Sequence, residues 1–164
     1  MVPLSILYIG RLEEDTGLPV YLKALHLIKE AFPNARVEFL GDGELRNECE
    51  KYGTVKGFVK NPEKYMIEAN FIFTSGYLSM LEALSLKKLV FATYDNPVKR
   101  SYLKDSPFSK YVITEKDPAV LAKKLLQLIK NSEKEKALIL AGHAWAKKQT
   151  WKQVADLYLK LWSQ

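Results

Sequence analysis

The chain has 164 residues, 25 Lys plus Arg against 19 Asp plus Glu, and a formal net charge of +6. That length suits one domain of roughly 100–200 residues, and 48% hydrophobic with 27% charged residues excludes a disordered or fibrous chain. The single cysteine, Cys49, excludes an internal disulfide and a cysteine-built zinc site.

Ser5-Ile6-Leu7-Tyr8-Ile9 is a compact apolar run closed by Gly10, the pattern of a buried strand. A helix follows over 19–32, with Leu22, Leu25, His26, Ile28 and Phe32 at helical spacing and Pro33-Asn34 as its stop. Val37-Glu38-Phe39-Leu40 is a second strand, closed by Gly41-Asp42-Gly43. A short polar helix over 44–51 leads to a weaker third strand, Thr54-Val55-Lys56-Gly57-Phe58. Pro62 opens a short helix over 62–69. Phe71-Ile72-Phe73-Thr74 is the fourth strand, followed by a helix over 77–87. Leu89-Val90-Phe91-Ala92-Thr93 is the fifth, and Asp95-Asn96-Pro97 starts another helix. Tyr111-Val112-Ile113-Thr114 is the sixth. Helices over 118–130, 132–149 and 151–162 close the chain.

Strands in continuous apolar runs, each followed by a helix, call for a mainly parallel sheet with helices on both faces. Six such units fit an α/β, doubly wound open sheet, whereas a closed eight-stranded barrel needs about 250 residues. Residues 1–164 are read as one domain. Ligands of such sheets bind at the carboxyl ends of the strands, at the switch point in strand order.

Most of the positive excess lies in residues 121–164, on lysines mixed with apolar helical positions and without an Arg. A solvated helix surface accounts for it, so no nucleic-acid partner is expected. No apolar run approaches the roughly 18 residues of a membrane span. One free cysteine suits a reducing cytoplasm.

The first strand runs into Gly10-Arg11-Leu12-Glu13-Glu14-Asp15-Thr16-Gly17. An Arg among glycines, between strand and helix, offers a fixed fork of donors to phosphate oxygens. The alternative is a surface loop with Arg11 paired to Glu13 or Glu14. No Gly-Lys-Ser/Thr follows, so this is not a Walker loop. Gly41-Asp42-Gly43 resembles the start of a dinucleotide fingerprint, but Arg46 occupies the third glycine position, which disfavours a nicotinamide site. A tight turn is the simpler account of the two glycines. Thr74-Ser75-Gly76-Tyr77-Leu78-Ser79 carries hydroxyls and a glycine into a helix whose first N–H groups suit phosphate. Glu82 lies between Leu78 and Leu86 on that helix, a costly place for a lone carboxylate. The alternative is a capping box between Ser79 and Glu82. His26 and His143 have no partner at triad or metal spacing and read as structural. Trp145, Trp151 and Trp162 read as core residues.

The ordered set of these pieces resembles the C-terminal, donor-binding domain of the group-1 retaining glycosyltransferases, which have the GT-B architecture with Rossmann-like domains. The resemblance runs from Tyr8-Ile9-Gly10-Arg11-Leu12 through Phe39-Leu40-Gly41-Asp42-Gly43 and Lys56-Gly57-Phe58-Val59. It continues through Ala69 to Ser75, Leu81-Glu82-Ala83-Leu84 and Leu89 to Thr93, and ends in the helix from Trp151 to Trp162. It implies that Arg11 holds the diphosphate as the catalytic cation. Gly10, Thr16, Gly41, Gly43, Thr74, Ser75 and Ser79 would line the substrate site. Backbone amides around Gly76, Tyr77 and Leu78 would add to the phosphate contacts. Glu82 would bind the ribose, and Phe58 and Val59 would border the base. The implied reaction is transfer of a hexosyl group from a nucleotide diphosphate sugar with retention, and no cofactor or metal is expected.

Three departures from the family pattern stand out. Thr16 replaces a second cation, Thr74 replaces a glutamate that touches the donor sugar, and the acceptor-binding N-terminal half is lacking. That half would be a preceding domain or a partner subunit, and this chain alone is expected to be inactive. Peripheral association with the inner membrane face through the missing half stays open. So do a non-catalytic nucleotide-binding or regulatory module on the same fold and a GT-B sugar-nucleotide epimerase. A receiver domain is disfavoured because Phe58-Val59-Lys60 supplies no aspartate after the third strand.

Overall fold

The computed structural model describes residues 3–163. Six strands form one sheet: β1 (Ser5–Ile9), β2 (Arg36–Leu40), β3 (Thr54–Gly57), β4 (Phe71–Phe73), β5 (Leu89–Ala92) and β6 (Val112–Thr114). Their order is β3-β2-β1-β4-β5-β6. Every pairing is parallel, so the sheet is wholly rather than mainly parallel. The helices are α1 (Leu18–Ala31), α2 (Arg46–Glu50), α3 (Pro62–Glu68), α4 (Tyr77–Ser85), α5 (Pro97–Lys104), α6 (Pro118–Ile129), α7 (Ser132–Ala146) and α8 (Trp151–Trp162). Every expected element is present, with ends displaced by a few residues. The helix expected over 77–87 stops at Ser85 because Lys87 takes a left-handed φ of 58°.

Alternation along each strand divides the core into two layers. Ile6, Tyr8, Phe39, Phe71, Phe73, Leu89 and Phe91 pack with α1 and α6 on one face. Leu7, Leu40, Ile72, Val90 and Ala92 pack with Met66 of α3, Met80 and Leu84 of α4, and Leu103 of α5 on the other. Both faces are covered, which is why the central strands β1, β4 and β5 read as unbroken apolar runs. On the first face the rings of Tyr8, Tyr21, Phe39, Phe71, Phe73 and Phe91 contact one another in a chain, with centroids 5.1–5.9 Å apart.

Helix starts follow local chemistry. Asn96, Asp117, Asn131 and Thr150 each accept a backbone N–H from the first turn of α5, α6, α7 and α8. The connection from β1 to α1 turns at Gly17, whose φ of 80° is left-handed.

Two expectations about side chains are corrected. His26 is exposed on α1, with Nε2 3.6 Å from Glu30, because the buried stripe runs through Leu22, Leu25 and Ile28 instead. Trp151 and Trp162 are 82% and 78% exposed, and α8 contributes no buried residue. Periodicity gave α8 an apolar face but could not say whether anything covers it. Trp145 is half-buried, stacked on Tyr111 with centroids 5.6 Å apart.

Candidate functional site

Strand order reverses direction of growth at β1, which has β2 on one side and β4 on the other. Loops leaving β1 and β4 therefore diverge to opposite faces and open a crevice at the carboxyl edge. A cleft of about 370 Å³ lies there. Gly10, Arg11, Asp15 and Thr16 line it from the β1 loop, and Thr74, Ser75, Gly76 and Ser79 from the β4 loop and α4. Tyr8 and Ile9 form its floor, and Lys99 of α5 closes one side. A larger hollow, about 840 Å³, runs along the free edge of β6 between Lys104, Lys110, Lys124 and Lys134. It gathers nothing from the switch point, so the smaller cleft is the better candidate.

The β1 loop is held from inside. The Tyr8 hydroxyl lies 2.9 Å from the Arg11 carbonyl oxygen and 3.1 Å from Thr16 Oγ1. Thr16 donates in turn to the Glu13 carbonyl at 2.6 Å. Burial pushes the Tyr8 phenol up to about 12, so it stays neutral. The hydroxyl of Thr16 is thus spent on loop structure. Arg11 does not pair with Glu13 or Glu14; its guanidinium donates to both oxygens of Asp15, at 2.8 and 3.1 Å. Both partners are more than half exposed, so the pair contributes little and exchanges readily.

The β4 loop presents a bare helix start. Gly76 is the N-cap of α4, no side chain caps it, and no acidic residue sits in its first turn. Its N–H groups and the positive end of the helix dipole are available to an anion. A Cβ on Gly76 would meet nothing closer than 3.9 Å, so the approach is open. Thr74 is buried, and its hydroxyl donates to the Ile9 carbonyl at 2.8 Å, tying β4 to β1 at the crevice. Ser75 Oγ lies 2.8 Å from the Tyr21 hydroxyl and 3.1 Å from the Thr93 carbonyl. These two hydroxyls shape the floor.

The capping-box alternative for Glu82 does not survive. Ser79 is the third residue of α4 rather than its cap. Nor is Glu82 costly where it stands: it is exposed, and Leu78 beside it is 61% exposed. Its carboxylate has no hydrogen-bond partner among the described residues.

The remaining expected residues lie outside the cleft. Gly41 and Gly43 bring the β2 loop against the β1 loop. Leu12 donates to the Asp42 carbonyl and accepts from Leu45 N, both at 2.9 Å. A Cβ on Gly41 would overlap the Gly10 carbonyl oxygen, and one on Gly43 the Leu12 carbonyl oxygen. Phe58 is 83% exposed just past β3, with Val59 half-buried. Tyr77 packs its ring near Phe108, with centroids 5.8 Å apart. Phe58, Val59, Tyr77, Leu78 and Glu82 are not among the residues that line the cleft.

Sequence reasoning missed Lys99. Asn96-Pro97 was legible as a helix start after the fifth strand, which places Lys99 in its first turn at the same sheet edge. Among the described residues no group of His, Cys, Asp and Glu is arranged to hold a metal. No helix among them is long and apolar enough to cross a membrane.

This fold agrees with what comparison with known proteins finds. Residues 3–145 match the family model of the group 1 glycosyl transferases, and the chain belongs to that family. It is 33% identical over 99 residues to an uncharacterized glycosyltransferase of Methanocaldococcus jannaschii. That match takes in 52% of this chain and 24% of the relative. Among solved structures, a mutant of S. aureus TarM in complex with fondaparinux, α-GlcNAc-glycerol and UDP superposes with a TM-score of 0.79. It is 16% identical, and the alignment covers 99% of this chain and 36% of TarM. The C-terminal domain of a Francisella tularensis group 1 family glycosyl transferase, LpcC, gives 0.72 at 16% identity, covering 90% of this chain and 87% of that one. The chain thus spans about a quarter of its curated relative and about a third of TarM.

Proposed function

We propose that this chain is the donor-binding half of a glycosyltransferase, one that moves a hexosyl group from a nucleotide diphosphate sugar with retention at the anomeric carbon. The carrying observation is the switch-point cleft, where Arg11 faces the uncapped start of α4. UDP in the complexes of TarM, of pneumococcal GtfA and of Anabaena HepE supports a nucleotide diphosphate as the ligand class. The match to a C-terminal domain in LpcC supports the same half of the architecture, with residues 1–164 as one unit.

In this reading the diphosphate lies between Arg11 and the N–H groups of Tyr77, Leu78 and Ser79. Bond cleavage at the anomeric carbon leaves negative charge on the departing diphosphate. The Arg11 guanidinium, once moved from Asp15 onto the phosphates, and the aligned backbone dipoles stabilise that charge more in the transition state than in the bound donor. Donors arranged this way need no metal. Gly10, Gly76 and Ser75 shape the space beside the phosphates, and Glu82 accepts from the ribose hydroxyls. Phe58 and Val59 border the base. Gly41 and Gly43 act at one remove, by holding the β1 loop that carries Arg11. Acceptor binding belongs to a preceding domain or a partner subunit, so this chain by itself turns nothing over. A nucleotide-binding module without transfer is the second reading. It draws on Thr74, whose hydroxyl is committed to the Ile9 carbonyl and offers no carboxylate to a donor sugar.

Titration calorimetry with a panel of nucleoside diphosphates tests the proposal. Binding of at least one is expected, with the nucleoside alone much weaker. For Glu82→Ala the expected outcome is a loss of about tenfold in affinity for the ribonucleotide and a smaller loss for the 2′-deoxyribonucleotide, which offers the carboxylate one hydroxyl fewer. The unfolding temperature should not change, since Glu82 caps nothing. No diphosphate binding by the wild type, also with the acceptor half supplied, overturns the donor-site reading.

A further inference from the structure

We propose that Lys99 is the second cation of the diphosphate cleft, supplied from α5 rather than from the loop that carries Arg11. The proposal deepens the donor-site reading and rests on it.

Sheet order carries the first part. β1, β4 and β5 are consecutive neighbours. Arg11 follows β1, the bare start of α4 follows β4, and Lys99 sits in the first turn after β5. Three positive features from three adjacent strands therefore converge on one cleft. The Asn96 cap fixes the third, since its side chain accepts from Lys99 N at 2.9 Å and pins that residue in the first turn.

The chemistry of the amine carries the second part. Lys99 Nζ donates to the Asp15 carbonyl oxygen at 3.0 Å and has no carboxylate within ion-pair distance among the described residues. An ammonium has three protons to give, and the described residues accept one. Arg11 differs, because Asp15 already holds its charge. Lys99 is half-buried, and burial lowers its pKa below the ordinary 10.5. A half-buried cation without a counter-ion is costly until an anion arrives. Asp15 and Asp95 favour its charge and Arg11 opposes it. A diphosphate that displaces Asp15 from Arg11 would be met by both cations. The bond to the Asp15 carbonyl also ties the β5 side of the cleft to the β1 loop, so Lys99 is placed before any ligand binds.

The test compares Lys99→Met with wild type in calorimetric titrations of UDP, GDP and ADP and of the matching nucleosides. Methionine keeps the apolar stem and removes the charge, and thermal unfolding of the same samples checks the fold. Affinity for the diphosphate that binds wild type should fall about tenfold. Nucleoside affinity should not move. The pH profile gives an independent readout. A lysine with a lowered pKa loses its proton earlier than a free one. Wild-type diphosphate affinity should therefore decline as pH rises toward 10.5, and Lys99→Met should lack that step while Arg11 stays charged throughout. Equal diphosphate affinity in the two proteins, or equal losses for nucleoside and diphosphate, overturns the role of Lys99 and leaves the donor site standing. Absence of diphosphate binding by wild type overturns both.

Discussion

Gly41→Ala is expected to cost about 3–5 kcal/mol, or on the order of 10 °C in Tm, the largest effect of any small substitution at the sheet's carboxyl edge. Gly41 has a φ of 141°, which a side chain tolerates poorly. Its added Cβ would also overlap the Gly10 carbonyl oxygen, a backbone atom that no rotamer change can move aside. The ends of β1, β2 and β3 are joined there: Gly10 donates to the Leu40 carbonyl at 3.1 Å, and Gly41 donates to the Gly57 carbonyl at 2.9 Å. Relief of the clash must shift the β1 loop and Arg11 with it. Gly57→Ala is the control. Its φ of 70° is also positive but lies near the left-handed α region that side chains can adopt at modest cost, and nothing lies within 4 Å of its Cβ position. Strain alone should cost it about 1–2 kcal/mol. Equal destabilisation of the two variants in thermal unfolding would show that close approach at Gly41 contributes nothing.

Arg11→Ala is expected to weaken binding of a nucleoside diphosphate by more than tenfold and to leave the nucleoside alone. The guanidinium must leave Asp15 to bind phosphate. That exchange favours the ligand, because an exposed i,i+4 ion pair contributes little while a diphosphate offers a fixed array of charged oxygens. Asp15→Asn should therefore act in the opposite direction and tighten diphosphate binding by about two- to fivefold, with a stronger dependence on salt. Titrations at two ionic strengths measure both effects. An Arg11→Ala variant with unchanged diphosphate affinity would place the phosphates elsewhere.

The fold was legible because the central strands β1, β4 and β5 are buried on both sides. Phe71-Ile72-Phe73 and Leu89-Val90-Phe91 leave no polar position at which a helix or an edge strand could turn outward, and Gly10, Gly41 and Pro97 punctuate the runs. The site was legible as far as strand ends go. Arg11 and the Ser75-Gly76 turn each follow a strand, and the switch-point rule brings β1 beside β4. What stayed hidden depends on how far a side chain reaches. Lys99 meets the β1 loop only because β5 lies one strand beyond β4 and the lysine stem spans the gap. Asp15 rather than Glu13 or Glu14 takes Arg11, because the 3-10 turn at Glu14–Thr16 carries Asp15 round to the i,i+4 position. Ser79 and Glu82 have the spacing of a capping box in any helix. Only the true start at Gly76 removes it.

The exposure of α8 has a consequence for how the chain unfolds. A helix of 12 residues with no buried side chain has little to hold it beyond its own backbone bonds and the Thr150 cap. Its amides should exchange with solvent hydrogen far faster than those of β1, β4 and β5, whose opening requires loss of the whole sheet. On warming, ellipticity should fall gradually from α8 before the single sharp transition of the rest. Residues 3–149 then form the cooperative unit, and α8 melts as a separate, weakly coupled segment.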